Sequence, residues 1–164
     1  MTNTRLKIGD MFEVPLKSRM KGYIQYIGND LTQLNSDVIR VFKRRDKVEA
    51  EISVDDILKD GIDFYSHVVD VQHGVKDGSW SKIGNSENLG DLKAPFFRSS
   101  RDYGDPSIKV SHKWDVWRMN ETDEYVGELK GENARAEIGS VTWPKKIAER
   151  MQTGEFSNFY PDYQ

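Results

Sequence analysis

Three histidines, His67, His73 and His112, are the residues of this 164-residue chain best suited to metal binding or acid–base catalysis. A protein zinc site needs three or four ligands with defined spacing. Here two histidines lie six residues apart and the third stands alone, and no His-x-His or His-x-x-x-His element occurs. A metal site would therefore need all three histidines and a carboxylate to converge from separate strands. We favour the alternative, in which each histidine is hydrogen-bonded locally, and predict no metal and no cofactor.

Nucleophilic catalysis finds no better support. The pairs Ser66-His67 and Ser111-His112 are adjacent in sequence, and adjacent residues of a strand point to opposite faces, so neither pair makes the hydrogen bond that activates a serine. The carboxylate pair Asp55/Asp56 fits the first turn of a helix, where the helix dipole favours acidic residues. Asp102 and Asp105 fit a turn. We therefore predict no catalytic residue and no enzyme activity.

Composition limits the class of protein further. The 24 Lys and Arg nearly balance the 27 Asp and Glu, giving a net charge of −3, whereas nucleic-acid-binding domains are usually basic. The 4 Trp, 7 Tyr and 7 Phe are too many for a disordered chain. Cysteine is absent, and neither a secretory signal nor a membrane-spanning run is found. These features predict one cytoplasmic domain, residues 1–164, that binds neither nucleic acid nor membrane.

Hydrophobic alternation predicts three strands close together in sequence, at 11–16, 23–27 and 38–42. Strands so close in sequence favour an antiparallel meander. Pro15 cannot donate to a β-ladder, which predicts that the first strand is an edge strand or ends there. The segment Gly28-Asn29-Asp30 has the composition of a turn that ends the second strand.

Later elements follow from capping residues and further alternation. Ser53 is a helix N-cap candidate, and Pro144 and Gly154 have the positions of a helix start and stop. Residues 73–104 are glycine-rich and predict a long loop with short strands that the pattern does not place. The predicted elements are helices at 54–59 and 145–152 and strands at 64–71, within 108–119, where residues 113–118 alternate, at 124–129 and around 137–142. The fold class is α+β: a mostly antiparallel, strongly bent sheet or half-open barrel with two short helices, one of them C-terminal.

Several segments, taken together and in order, resemble the bacterial immunity protein 26 family of polymorphic toxin systems. The resemblance extends over roughly residues 5 to 160. It is carried by KIGDMFEVPL at 7–16, GYIQYIGND at 22–30, DVIRVF at 37–42, GSWSKIGN at 78–85, Phe97-Arg98, Asp102-Tyr103-Gly104, Trp114-Asp-Val-Trp117 and Gly131-Glu132-Asn133.

This resemblance implies a cytoplasmic antidote that binds a cognate bacterial toxin domain and neutralises it by stoichiometric occlusion. Some family members carry a phosphotriesterase label, which makes a small metal-assisted hydrolase one alternative. A generic protein-interaction module is another. The hydrolase alternative predicts that the three histidines converge beside a carboxylate in a concave pocket. The sequence does not specify which toxin is bound or the oligomeric state.

A tight inhibitor usually depends on a few aromatic or arginine residues at the centre of its interface. The candidates here are Trp80, Arg98, Tyr103, Trp114 and Trp117. For each tryptophan, packing in the core is the favoured alternative. Trp114 and Trp117 would lie on opposite faces of their strand, and Arg98 could pair with Asp102.

Overall fold

A computed structural model describes residues 5–156 and 160–163. Two β-sheets contain most of the regular secondary structure in this part of the chain, and three short α-helices and one 3₁₀ helix pack around them. The strands are β1 (Asp10–Leu16), β2 (Met20–Asp30), β3 (Ser36–Phe42), β4 (Asp46–Lys47), β5 (Ile62–Val68), β6 (Ser81–Asn85), β7 (Phe96–Ser100), β8 (Trp114–Arg118), β9 (Glu124–Gly127), β10 (Glu137–Ile138) and β11 (Val141–Thr142). The helices are α1 (Val54–Leu58), α2 (Val71–Lys76), the 3₁₀ helix (Gly131–Arg135) and α3 (Pro144–Thr153).

The larger sheet has seven strands in the order β11-β5-β3-β2-β1-β6, and β4 pairs with β2. The predicted meander of the first three strands is confirmed, since β1, β2 and β3 are antiparallel neighbours. β1 is not an edge strand, because β6 pairs with it. Pro15 is tolerated there because the β6 pairing ends at Glu13, before the missing N–H of the proline is reached.

The smaller sheet has four strands in the order β10-β7-β8-β9. The antiparallel strands β7, β8 and β9 form its main part, while the two residues of β10 pair parallel with β7. The fold class is confirmed: the structure is α+β and mostly antiparallel, its last helix is C-terminal, and the sheets are not closed into a barrel.

Three predicted elements are corrected by the structure. β2 runs through Gly28–Asp30, and the turn follows at residues 31–35, because a bulge near Gly28 absorbs the irregular residues without ending the strand. The predicted strand at 64–71 ends at Val68. Asp70 then caps the unpredicted helix α2, accepting a hydrogen bond from the backbone N–H of Gln72. The predicted strand at 137–142 is two separate strands, β10 in the smaller sheet and β11 in the larger.

The two sequence-predicted helices are confirmed. The Ser53 hydroxyl caps α1 by accepting a hydrogen bond from the backbone N–H of Asp56. Pro144 begins α3, and Gly154 ends it in the left-handed conformation, at φ 75°. The apolar stripe of α3 includes the buried residues Ile147 and Met151, which pack on one face of the larger sheet.

The interior is divided into four clusters that cover both faces of both sheets. One face of the larger sheet packs on α3 and Trp80, and the other packs on α1. A third cluster joins the two sheets, and a fourth covers the outer face of the smaller sheet, where Tyr160 and Tyr163 pack on Trp114. The C-terminal segment therefore docks on this sheet through Tyr160 and Tyr163, whereas Phe159 lies outside the described residues.

No helix in the described ranges is both long enough and apolar enough to cross a membrane.

Candidate partner-binding surface

A buried carboxylate, Asp30, joins the two sheets at the end of β2. Its Oδ2 accepts hydrogen bonds from His67 Nε2 of β5 and from Trp117 Nε1 of β8, both at 2.9 Å. Its Oδ1 accepts from the backbone N–H groups of Asn120 at 3.1 Å and Gln33 at 3.3 Å. Asp30 and His67 are fully buried, and Trp117 is nearly so. One side chain therefore fixes β5, β8 and the turns that follow β2 and β8.

The electrostatics of this junction follow from its donors. Burial acts to raise the pKa of Asp30, but the hydrogen bonds from His67, Trp117 and the two backbone amides outweigh it and hold that pKa below its usual value. Burial lowers the pKa of His67 more than Asp30 raises it, so the imidazole stays neutral in the folded protein. The ring of His67 packs on Phe97, with centroids 4.2 Å apart. These contacts indicate a structural histidine.

Outside this junction, two turns lie side by side. The backbone N–H of Leu31 donates to Asn120 Oδ1 at 2.8 Å, and Gln33 Nε2 donates to Asp123 Oδ1 at 3.1 Å. Gly28 lies close to the same contact, since a Cβ there would stand 3.0 Å from Met119 Sδ, a tight approach. We call residues 31–35 and 120–125 the two-hairpin surface.

The two-hairpin surface exposes large apolar and aromatic side chains. Leu31 is 71% exposed, the most of any large apolar residue described, Leu34 is 42% exposed, and Tyr125 is 50% exposed. Leu34 also has a left-handed backbone, at φ 61°. This conformation costs a leucine roughly 1–2 kcal/mol relative to the right-handed one, and the side chain of Leu34 is only partly buried. Backbone strain of this kind concentrates at functional sites, which makes the turn a candidate for binding.

The five residues predicted for partner binding are placed differently. Trp80, Trp114 and Trp117 are buried, as in the core-packing alternative weighed for each. Trp114 and Trp117 lie on opposite faces of β8, as predicted, and belong to different clusters.

Arg98 and Tyr103, the other two, lie nearer the surface. Arg98 is half-buried and does not pair with Asp102: its guanidinium lies over the Tyr163 ring at 4.4 Å and donates to the carbonyl of Ala136. Tyr103 is 56% exposed and lies 5.0 Å from the Tyr160 ring. Burial therefore leaves Tyr103 as the most accessible of the five, and their role in partner binding stays a prediction.

Sequence reasoning missed a second exposed aromatic residue, Trp143. It is 57% exposed, immediately before α3, and it packs edge-on against His73 at 5.3 Å. The hydrophobic pattern did not indicate that Trp143 is exposed, and both of its neighbours, Thr142 and Pro144, are buried. Val69 lies beside it, because its N–H donates to Thr142. This patch is the main rival to the two-hairpin surface.

The three histidines do not come together. His67 pairs with buried Asp30, His73 lies 3.9 Å from Asp77 on α2, and His112 lies 3.4 Å from Glu128 at the surface. In the part of the chain that the structure describes, no group of three His, Asp or Glu residues is placed to hold a metal ion. The arrangement required by the metal-hydrolase alternative is therefore not formed by these histidines.

A groove of about 550 Å³ holds the carboxyl with the largest upward shift in pKa. Glu137 lines it together with Tyr65, Phe96 and Arg118. Burial raises the pKa of Glu137 to about 7, against the opposing effects of Arg150 and of the Tyr65 N–H, which donates to Glu137 Oε2 at 2.6 Å. A carboxyl with a pKa near neutrality could exchange protons at physiological pH.

Comparison with known proteins gives one family. The model of the family described as immunity protein 26 matches residues 7–107, more than half of the chain. The chain belongs to the immunity protein 26 family. In this immunity protein the matched region contains the whole β1–β3 meander, Asp30, His67 and the turn at 31–35, whereas residues 120–125 lie beyond it. No curated protein and no solved structure matches the chain.

Proposed function

We propose that this protein protects the bacterial cytoplasm by binding a cognate toxin domain and covering the surface that the toxin needs for its activity. Membership of the immunity protein 26 family is the observation that carries the proposal. The exposed leucines of a turn that is fixed from inside by Asp30 also support it, because preorganised apolar groups lose little entropy on binding.

The role requires tight, stoichiometric binding. A nanomolar complex corresponds to about −12 kcal/mol, and interfaces of this strength commonly bury about 800 Å² on each partner. Burial of the three tryptophans restricts the available anchors to residues such as Leu31, Tyr103, Tyr125 and Trp143.

The test is coexpression with the toxin domain encoded next to this gene. We expect the wild-type protein to restore growth, to copurify with the toxin at a fixed ratio, and to abolish the toxin's activity only as that ratio is reached. Growth that is restored by a small fraction of one equivalent would contradict occlusion and would instead indicate turnover.

Glu137 is the residue through which an enzymatic alternative is tested. Its raised pKa and its position in a groove are the one feature that favours a hydrolase. Glu137→Gln keeps an acceptor for the Tyr65 N–H and removes the titrating group. We expect this variant to protect cells as well as the wild type does. Loss of protection with unchanged toxin binding would favour catalysis.

A further inference from the structure

The two-hairpin surface is strongly acidic, in contrast to the chain as a whole. Residues 31–35 and 120–125 contain Glu121, Asp123 and Glu124 and no Lys, Arg or His. These three carboxylates equal in number the net negative charge of the whole chain, −3. Glu121 and Glu124 are exposed and form no ion pair with any described residue.

Cations that border this surface are already committed elsewhere. Arg101 donates two hydrogen bonds to Asp115, both at 3.1 Å, while its guanidinium lies 4.0 Å from the centre of the Tyr125 ring. Arg118 pairs with Glu132 at 2.8 Å. Neither arginine forms an ion pair with Glu121 or Glu124, so these two carboxylates are available to an external partner.

An open sheet edge lies beside these carboxylates. In the described part of the chain, β9 pairs with β8 on one side and is the last strand of the smaller sheet. Such an edge presents backbone N–H and C=O groups to a partner. Tyr125 projects from it, and Leu31 and Leu34 project from the neighbouring turn. Apolar anchors with a charged rim have the organisation of a specific protein interface.

We propose that the two-hairpin surface is the toxin-binding surface and that its partner is a basic face of the toxin, in which Lys and Arg side chains surround an apolar pocket for Leu31. This inference rests on the proposed immunity function. The charge of this surface distinguishes it from the Trp143 patch, where Lys145 and Lys146 follow directly in sequence and where Trp143 packs on His73.

The left-handed backbone conformation of Leu34 also supports a binding role for this surface. Gly or Asn at position 34 would adopt φ 61° at lower cost. A leucine held there is still 42% exposed, so a partner would bury apolar surface that the fold leaves open. Leu34→Gly is therefore expected to leave the protein at least as stable as the wild type and to weaken toxin binding.

The experiment measures association and dissociation rates with the cognate toxin domain, at low and high ionic strength. The test variants are Glu121→Lys/Glu124→Lys and Leu31→Ala. Their matched controls are Glu51→Lys/Glu155→Lys, which makes the same change in net charge at exposed acids that form no ion pair with any described residue, and Val48→Ala, which truncates an exposed apolar residue elsewhere. All four variants alter exposed side chains, so thermal unfolding should be unchanged.

We expect the double charge reversal to slow association by about tenfold or more and to weaken its dependence on salt. Leu31→Ala should accelerate dissociation by about tenfold, and both controls should bind as the wild type does. Wild-type-like binding by the charge reversal, or equal loss in its control, overturns this inference alone. A wild-type protein that neither binds the toxin nor protects against it contradicts the proposed function, and the inference falls with it.

Discussion

Asp30 and Glu137 are two carboxylates withdrawn from water in the same protein, and their pKa values are shifted in opposite directions. The pKa of Asp30 lies below its usual value, whereas that of Glu137 is raised to about 7. Burial acts to raise both pKa values, and the two sites differ in the groups that oppose it. Asp30 accepts four hydrogen bonds from N–H groups, and Glu137 accepts one. The number of donors decides which form of a buried carboxyl is favoured.

The two sites accordingly play different parts in stability. At the Asp30 junction, the ionised form is the one that joins the sheets. At the groove, ionisation of Glu137 opposes folding, because a charge enters a site with few donors. The junction also fixes the turn that carries Leu31 and Leu34, which links the interior to the proposed binding surface.

The largest effect is expected from Asp30→Ala. The change leaves the N–H groups of His67, Trp117, Gln33 and Asn120 without their acceptor, and the free energy of unfolding should fall by about 3–5 kcal/mol. Urea denaturation at pH 7 measures it. Asp123→Ala, which removes one exposed hydrogen bond with Gln33, is the control and should cost less than about 0.5 kcal/mol. Similar losses in the two variants would remove the basis of the comparison.

The same junction gives a pH dependence with a defined sign. The folded pKa of His67 lies below the ordinary value of 6.5, so the unfolded chain binds a proton first as the pH falls. The contribution of the junction should therefore be present at pH 7 and decline below about 6.5, with a further loss as Asp30 becomes protonated. Denaturation curves between pH 7 and pH 2 follow this decline. They are recorded with Glu137→Gln, because Glu137 changes stability in the opposite direction between about pH 4.5 and pH 7.

The effect of Glu137→Gln on the free energy of unfolding is expected to be smaller than that of Asp30→Ala and opposite in sign. The pKa of Glu137 rises from 4.5 to about 7 on folding, so its contribution to stability is retained at low pH and lost as the pH rises through that interval. Glu137→Gln should therefore raise the free energy of unfolding at pH 8 by about 1–3 kcal/mol and have little effect at pH 4. Denaturation at these two pH values tests it, and an equal change at both would show that the charge is not the cause.

The smallest effect concerns the environment of Glu137. Arg150, whose guanidinium lies 3.9 Å from the centre of the Phe64 ring, acts to lower the pKa of Glu137. Arg150→Gln should move the midpoint of Glu137 titration upward by less than about one pH unit. Carboxyl ¹³C chemical shifts measure that midpoint. Lys146→Gln, on the same helix but paired with Glu149, is the control and should leave it in place.

Local sequence patterns predicted the elements that depend on near neighbours. The first three strands, the Ser53 cap and the Pro144–Gly154 limits of α3 were all evident, because each depends on residues within a few positions of one another. The pattern failed at Gly28–Asp30. Its turn composition was overridden by pairing with β3 across a bulge, which is a contact between strands.

The candidate site was much less predictable than the fold. Aromatic type suggested Trp80, Trp114 and Trp117 as anchors, although large aromatic residues are equally valuable in a core, which is where the structure has them. Leu31, Leu34 and Tyr125 had no distinguishing local signal. Their interest comes from exposure, and exposure depends on what the rest of the chain covers.

The sequence by itself determined that this is an α+β protein of the immunity protein 26 family, built on a three-strand meander and closed by a C-terminal helix. Only the tertiary structure decided that Asp30, His67 and Trp117 meet, and that two turns some 90 residues apart form one acidic surface. Alternation and capping depend on residues a few positions apart, so a short segment of sequence is enough to predict them. Hydrogen bonds across such separations depend on how the two sheets pack, which no short segment predicts.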